Sequence, residues 1–188
     1  MKNSLVVNKS YLQLALFQQA FIHKSVSSDQ NNERLEFLGD AVLEIVVSEY
    51  LFNRFEGLNE GKLTQMRASL VNTQSLAKLF QQLDCKDLLQ TSKGTNKLDE
   101  THKYSIYAGA LEACIGAIFV ELGFEESKSF ILYLFQDSFS LLNESIELKD
   151  AKSRLQEALQ ALGVQPPNYL VASNKEGNNF NCNVTFDG

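Results

Sequence analysis

Residues 33–44, Glu-Arg-Leu-Glu-Phe-Leu-Gly-Asp-Ala-Val-Leu-Glu, constrain this chain more than any other stretch. Its acids, Glu33, Glu36, Asp40 and Glu44, recur at the three- and four-residue spacing that puts side chains on one helix face, so they form a single stripe. Leu35, Phe37, Leu38, Ala41, Val42, Leu43, Ile45, Val46 and Val47 cover the remaining surface, which predicts a helix that is apolar nearly all round and buried. Unpaired carboxylates in a buried setting cost on the order of several kcal/mol each. Something cationic must face such a stripe. A divalent metal ion is the sharpest candidate, and a solvated helix face is the plainer alternative.

The 188 residues are 44% hydrophobic, with 13 Phe and 2 Pro, enough apolar material for a sizeable core and outside the disordered class. No apolar run is expected to reach the roughly 18 residues that span a bilayer, and Met1 to Ser10 lacks the apolar core of a signal peptide. Cys85, Cys114 and Cys182 are odd in number and scattered, with no Cys-x-x-Cys pair, so neither a disulfide framework nor a zinc site is indicated. A reducing cytoplasm fits best. The net charge of −6 has the wrong sign for an average nucleic-acid binder, although metal-binding acids lower net charge while a basic face elsewhere binds.

Helical spacing predicts a helix over Tyr11–Ser25, then the acidic helix from an Asn31 or Asn32 cap to about Phe55, then helices over Lys62–Leu70 and Thr73–Leu83. Thr91 to Lys103, rich in Lys, Thr, Asn and Gly, reads as a solvated loop. Tyr104 to Leu122 is a second strongly apolar helix with Glu112 in its middle, and Phe124 to Leu142 is amphipathic. The pattern changes near Lys149: a helix over Ala151–Leu162 stopped by Gly163, a strand from Pro166 to Val171, a turn over Asn174–Asn179, and a strand over Phe180–Phe186 with alternating apolar residues.

The segment Asn32 to Leu43 resembles the signature of the bacterial ribonuclease III family, the double-stranded-RNA endonucleases, almost letter for letter. Further stretches resemble its other motifs in order: Ala20 to Ser25, Glu60 to Val71, Ser105 to Ala113 and Ile115 to Phe119. The resemblance implies an all-α ribonuclease III endonuclease domain over residues 1–146. An incomplete α/β (helix–strand–strand) double-stranded-RNA-binding domain is expected over 147–188, without the third strand and final helix that would grip phosphates. Carried over residue by residue, it puts metal-binding and catalytic acids on Glu36, Asp40 and Glu112, and places further functional acids, on the RNA side, at Glu33 and Glu60. The family pattern has an aspartate three residues before its last acid, where this chain has Gly109.

The resemblance further implies Mg²⁺ as cofactor, with Mn²⁺ able to substitute, double-stranded RNA as substrate, a homodimer, and no membrane. The reaction would be phosphodiester hydrolysis in RNA processing that leaves 5′-phosphates and short 3′ overhangs. An all-oxygen ligand set suits Mg²⁺ rather than Zn²⁺, and because Mg²⁺ keeps several waters, three carboxylates can make a site without the aspartate. The runner-up is a non-catalytic dimeric RNA-binding or scaffold protein whose metal site Gly109 impairs. Individual acids also have plainer readings: Glu44 as surface or salt-bridged, Glu60 as a helix-start residue, Glu112 as a paired core carboxylate. His23 reads as a hydrogen-bonded packing residue. Lys24, Arg34 and Arg67 either hold the acids or touch phosphate. Phe37 and its apolar neighbours are the candidate dimer surface, and RNA affinity is expected to be weak and strongly salt-dependent.

Overall fold

The structure, a computed structural model, describes residues 5–95, 99–142, 151–173 and 180–186. The expected turn at 174–179, Lys97 and Lys149 lie outside them. The chain divides into two compact units, Met1–Ile146 and Glu147–Gly188.

The first unit is helical: α1 (Ala15–Gln19), α2 (Glu33–Arg54), α3 (Glu60–Val71), α4 (Thr73–Gln82), α5 (Glu100–Leu122) and α6 (Phe124–Ser140). Its centre is α5, whose Ala110, Leu111, Ala113, Cys114, Ile115, Ala117 and Ile118 have no exposed surface. Around it pack α1, α2, α4 and α6. From α2 come Leu43, Val46 and Val47, and a chain of rings continues the core through Phe17, Phe21 and Phe80 to Tyr107. Val42, Val46 and Leu35 face inward while Phe37, Ala41 and Ile45 stay exposed, so α2 is buried on one side only. By length and mean hydropathy (1.5) α5 would qualify as a membrane span, which corrects the expectation that no stretch would. Its apolar surface is instead satisfied by the helices around it, the usual setting of a core helix.

Local chemistry sets the helix ends. Asn59, Asn72 and Asp99 accept hydrogen bonds from the backbone N–H of Lys62, Ser75 and His102, capping α3, α4 and α5. At α2 the cap is divided. Asn31 Oδ1 accepts from Glu33 N at 3.0 Å, whereas the buried Asn32 turns its amide to Ala20 O at 3.3 Å. Two expected boundaries differ. The helix expected over Tyr11–Ser25 is a 3₁₀ turn (Tyr11–Gln13) and then the short α1, broken at Leu14, whose ψ of 132° is extended. The Asp99 cap starts α5 four residues before Tyr104, taking Glu100–Lys103 out of the expected loop.

The second unit has α7 (Ala151–Ala161), ended near Gly163 in the left-handed region (φ 71°), then β1 (Asn168–Ser173) and β2 (Phe180–Thr185). The strands pair antiparallel with Asn168 opposite Thr185 and Ser173 opposite Phe180. Helix–strand–strand is the expected order.

Candidate active site

The site exists because two helix backbones touch. A Cβ on Gly39 of α2 would lie 1.7 Å from the carbonyl oxygen of Glu112 on α5, and one on Gly116 would lie 2.2 Å from the carbonyl oxygen of Leu35. No side chain larger than hydrogen fits at either position, so α2 and α5 cross in direct contact. Glu36 lies one turn before Gly39, Asp40 directly after it, and Glu112 is the α5 residue at the crossing. The carboxylates are thus brought together by geometry that their own charges oppose.

An open pocket of about 740 Å³ collects Glu33, Glu36, Asp40 and Glu112, with His23, Lys24, His102 and Ser105 on its walls. Glu112 is half-buried, and its pKa is pushed up to about 8, by burial first and then by the negative charges of Asp40 and Glu36. Burial likewise raises Glu36, Glu33 adds to the effect, and Lys24 opposes it. Lys24 is engaged already, donating to Glu33 Oε1 at 2.7 Å. Two partly buried carboxylates therefore share a pocket in which, among the described lining residues, the Lys24 ammonium is already paired at the rim.

Among the described residues, no three Asp, Glu, His or Cys side chains close on a single ion-sized point. Glu36, Asp40 and Glu112 share a pocket and feel one another's charge, but they are not a finished chelate. The donor set nonetheless fits a hard divalent cation. All three are carboxylates, and the charge that burial penalises at Glu112 and Glu36 is what a cation would offset.

The other acids fall elsewhere. Glu44, lower on the α2 stripe, pairs with Arg67 Nε at 2.8 Å, and Arg67 also donates to Ser48 Oγ at 2.8 Å. Glu60 begins α3, accepts from the Thr64 hydroxyl at 3.0 Å, and lines a separate apolar groove with Ile45, Leu51, Phe52 and Leu63. The helix-start reading of Glu60 holds in position, although Asn59 is the capping side chain. His23 Nδ1 lies 2.8 Å from Ser25 Oγ, a hydrogen-bonded residue as expected, and burial and Lys24 lower its pKa.

Neither His102 nor Ser105 stands out as a pocket residue in the sequence: His102 falls in the expected loop, and Ser105 lies within the expected helix with no charge to single it out. Once Asp99 starts α5, His102, Ser105, Gly109 and Glu112 follow one another at three- and four-residue spacing on one face. The Asp99-x-x-His102 cap was the signal that would have found them.

A family model described as ribonuclease-III-like matches residues 13–138. The chain belongs to the ribonuclease III family. It is 45% identical over 154 residues to Ribonuclease 3 of Campylobacter jejuni, covering 82% of this chain and 69% of that protein. It is 39% identical over 186 residues to Ribonuclease 3 of Idiomarina loihiensis, covering 97% of this chain and 81% of that one. The fold resembles the crystallised nuclease domain of the C. jejuni ribonuclease III (46% identity, TM-score 0.62, 67% of this chain and 88% of that one), a structure described for flexibility in a region of dimer formation. It also resembles Dicer from Pichia stipitis (30% identity, TM-score 0.55), with 96% of this chain and 81% of that one covered. The architecture is therefore the ribonuclease III nuclease fold followed by a helix and a two-stranded antiparallel sheet.

Proposed function

We propose that this ribonuclease III family chain is a divalent-metal-dependent endonuclease of double-stranded RNA, in which Glu36, Asp40 and Glu112 hold Mg²⁺, or Mn²⁺ in its place. The observation that carries this reading is the shared pocket of those three carboxylates, with Glu112 pushed up to about 8. When bound, the ion supplies positive charge against the phosphate and acidifies water for attack. Glu36 and Asp40 present their oxygens from successive turns of α2, and Glu112 presents its own across the crossing. Glu33 keeps Lys24 at the rim, which leaves a cation at the pocket mouth where a phosphate backbone would pass. The duplex is read by shape and backbone rather than by base edges. The products are 5′-phosphate ends with short 3′ overhangs, in RNA processing in the cytoplasm, where free Cys85, Cys114 and Cys182 are at home.

The active form is a homodimer. Phe37, 81% exposed, Ile45 and Phe52 form an apolar row along the solvent side of α2 that one subunit leaves bare. Support comes also from the dimer-forming region named for the C. jejuni nuclease domain. Glu60 borders the groove beside that row, so it reaches RNA from the dimer surface rather than from the acid pocket.

A second reading, a duplex-binding scaffold without catalysis, is favoured by Gly109 and by the unclosed carboxylate trio. One experiment separates the two. A long RNA duplex is incubated with the protein and Mg²⁺ or Mn²⁺, beside Glu112→Gln and beside EDTA. Metal-dependent cutting lost in the variant supports the nuclease. Retention of the duplex without cutting supports the scaffold.

A further inference from the structure

The chain has 2 histidines, and both line the acid pocket. Their partners fix them in opposite tautomers. His102 Nδ1 lies 2.8 Å from Asp99 Oδ1, and a carboxylate only accepts, so this ring carries its proton on Nδ1. At His23 the arrangement is reversed. The backbone N–H of Ser25 donates to His23 Nδ1 at 3.2 Å, and the Ser25 hydroxyl lies 2.8 Å from the same atom. Ser25 Oγ in turn accepts from the backbone N–H of Ser92 at 3.0 Å, and its own proton goes to Nδ1 rather than to Thr95 Oγ1, 3.5 Å away. His23 Nδ1 is therefore an acceptor, and the neutral ring carries its proton on Nε2. The main chain beneath the ring is held as well: His23 N donates to Gln90 O at 3.1 Å, and Gln90 N donates to Phe21 O at 2.8 Å. Among the described residues, nothing accepts from Nε2. With Nδ1 committed to Ser25, Nε2–H is the one polar group this ring has left to offer the pocket.

We propose that His23 is a contact for the RNA backbone: it presents Nε2–H from the pocket wall to a phosphate oxygen of the strand being cut, with Ser25 as the positioning residue that fixes the donor. On the reading of this pocket as a divalent-metal nuclease site, on which the proposal rests, a neutral donor is the fitting kind. A cation there pairs with the acids, as Lys24 does with Glu33, and is engaged before RNA arrives. An imidazole N–H carries no net charge, so it neither neutralises the carboxylates that the metal ion needs nor repels that ion. Burial and the neighbouring Lys24 lower the His23 pKa, which keeps the ring in its neutral form. A histidine kept for packing would need its Nδ1 link to Ser25 and nothing at Nε2. The structural and the substrate-binding roles thus sit on different ring nitrogens and can be removed separately.

Two substitutions divide those nitrogens. Asparagine places a polar atom where Nδ1 was and nothing at Nε2, whereas glutamine reaches the Nε2 position with an N–H. His23→Asn should melt like the wild type and cut duplex RNA about tenfold or more slowly at sub-saturating RNA, the size of a hydrogen bond to a charged group. His23→Gln should do the reverse, melting lower while keeping most of the cutting. The donor is also visible directly. With 2 histidines in the chain, long-range ¹H–¹⁵N NMR shows two imidazoles, assigned by His102→Gln. The His23 ring should carry its proton on Nε2, and that proton should move downfield when an RNA duplex binds the Glu112→Gln chain, which leaves the duplex uncut. Full cutting by His23→Asn, a His23 ring protonated on Nδ1 instead, or an Nε2 proton unmoved by bound duplex would each overturn the proposal while wild-type cutting stands. A wild-type chain that cuts no duplex with Mg²⁺ or Mn²⁺ would overturn the nuclease reading itself, and this inference with it.

Discussion

Gly109 and Gly116 stand two turns apart on the same helix, facing the same partner, yet glycine does different work at each. At Gly116 a Cβ would run into the carbonyl carbon and oxygen of Leu35 and the backbone nitrogen of Gly39. Main chain cannot rotate away, so this glycine and Gly39 set the distance between α2 and α5. At Gly109 the obstruction is a carboxylate at the end of three rotatable bonds. The first pair sets the helix spacing, whereas at the third a side chain would meet only a carboxylate that can swing aside. The lesson is that the same residue type on one helix face is demanded by packing or not according to what a side chain there would strike.

The comparison breaks most visibly at its packing end. Gly39→Ala should destabilise the protein on the order of 3 kcal/mol, because a methyl group 1.7 Å from a carbonyl oxygen forces the helices apart. Denaturant unfolding measures this, and the value for Gly109→Ala should lie near zero or on the stabilising side. At the chemical end, Glu112→Gln should lower metal-dependent cleavage of duplex RNA at least about 100-fold while leaving the circular dichroism of the fold unchanged.

The same residue should give the metal-free protein a pH-dependent stability. The Glu112 carboxyl ionises near 4.5 when unfolded and at about 8 in the fold. Its raised folded value means that the proton is held more tightly in the native state. Stability from this group is therefore complete below pH 4.5 and is lost as pH rises towards 8. Melting temperatures across that window should fall for the wild type relative to Glu112→Gln. Metal binding should show the reverse, tightening up to about pH 8 as the ion no longer has to displace the proton.

Smaller effects belong to the solvent side of α2. Phe37→Ala should weaken the dimer by about 2 kcal/mol, read by sedimentation equilibrium, and change subunit stability by less than about 0.5 kcal/mol, since the ring is 81% exposed. Smallest of all is Glu44→Gln. Its pair with Arg67 is half-exposed on both sides, so the loss should stay below about 1 kcal/mol, with cleavage unaffected. Glu44 and Glu36 share one sequence stripe, and only Glu36 is expected to matter for chemistry.

Most of the site could be read in the chain because the acidic stripe is a local property of one helix: the spacing of Glu33, Glu36 and Asp40 fixes their face without reference to anything distant. Glu112 was legible as an acid inside an otherwise apolar helix. What lay beyond reading were the features decided by contact between helices. Small residues such as Gly39 and Gly109 favour close approach of the two apolar helices, but that Gly116 is the counterpart of Gly39, and that Glu36 leans over Gly109, shows only once the helices are packed. Glu44 and Glu60 continue the sequence motifs, yet one is drawn off by Arg67 and the other opens onto a different groove. The break at Leu14 and the early start of α5 at Glu100 were hidden for a related reason: apolar spacing runs on through a 3₁₀ turn, and one capping Asp outweighs a polar composition.

The proposed chemistry depends on one cation being shared across the α2–α5 crossing. Anomalous diffraction from crystals of the wild-type protein soaked in Mn²⁺ tests this directly. The expected result is a single strong peak between the helices with oxygens of Glu36, Asp40 and Glu112 about 2.0–2.3 Å away, Glu36 still lying over Gly109. A peak held by other side chains, or a pocket that stays without one at saturating Mn²⁺, would contradict it.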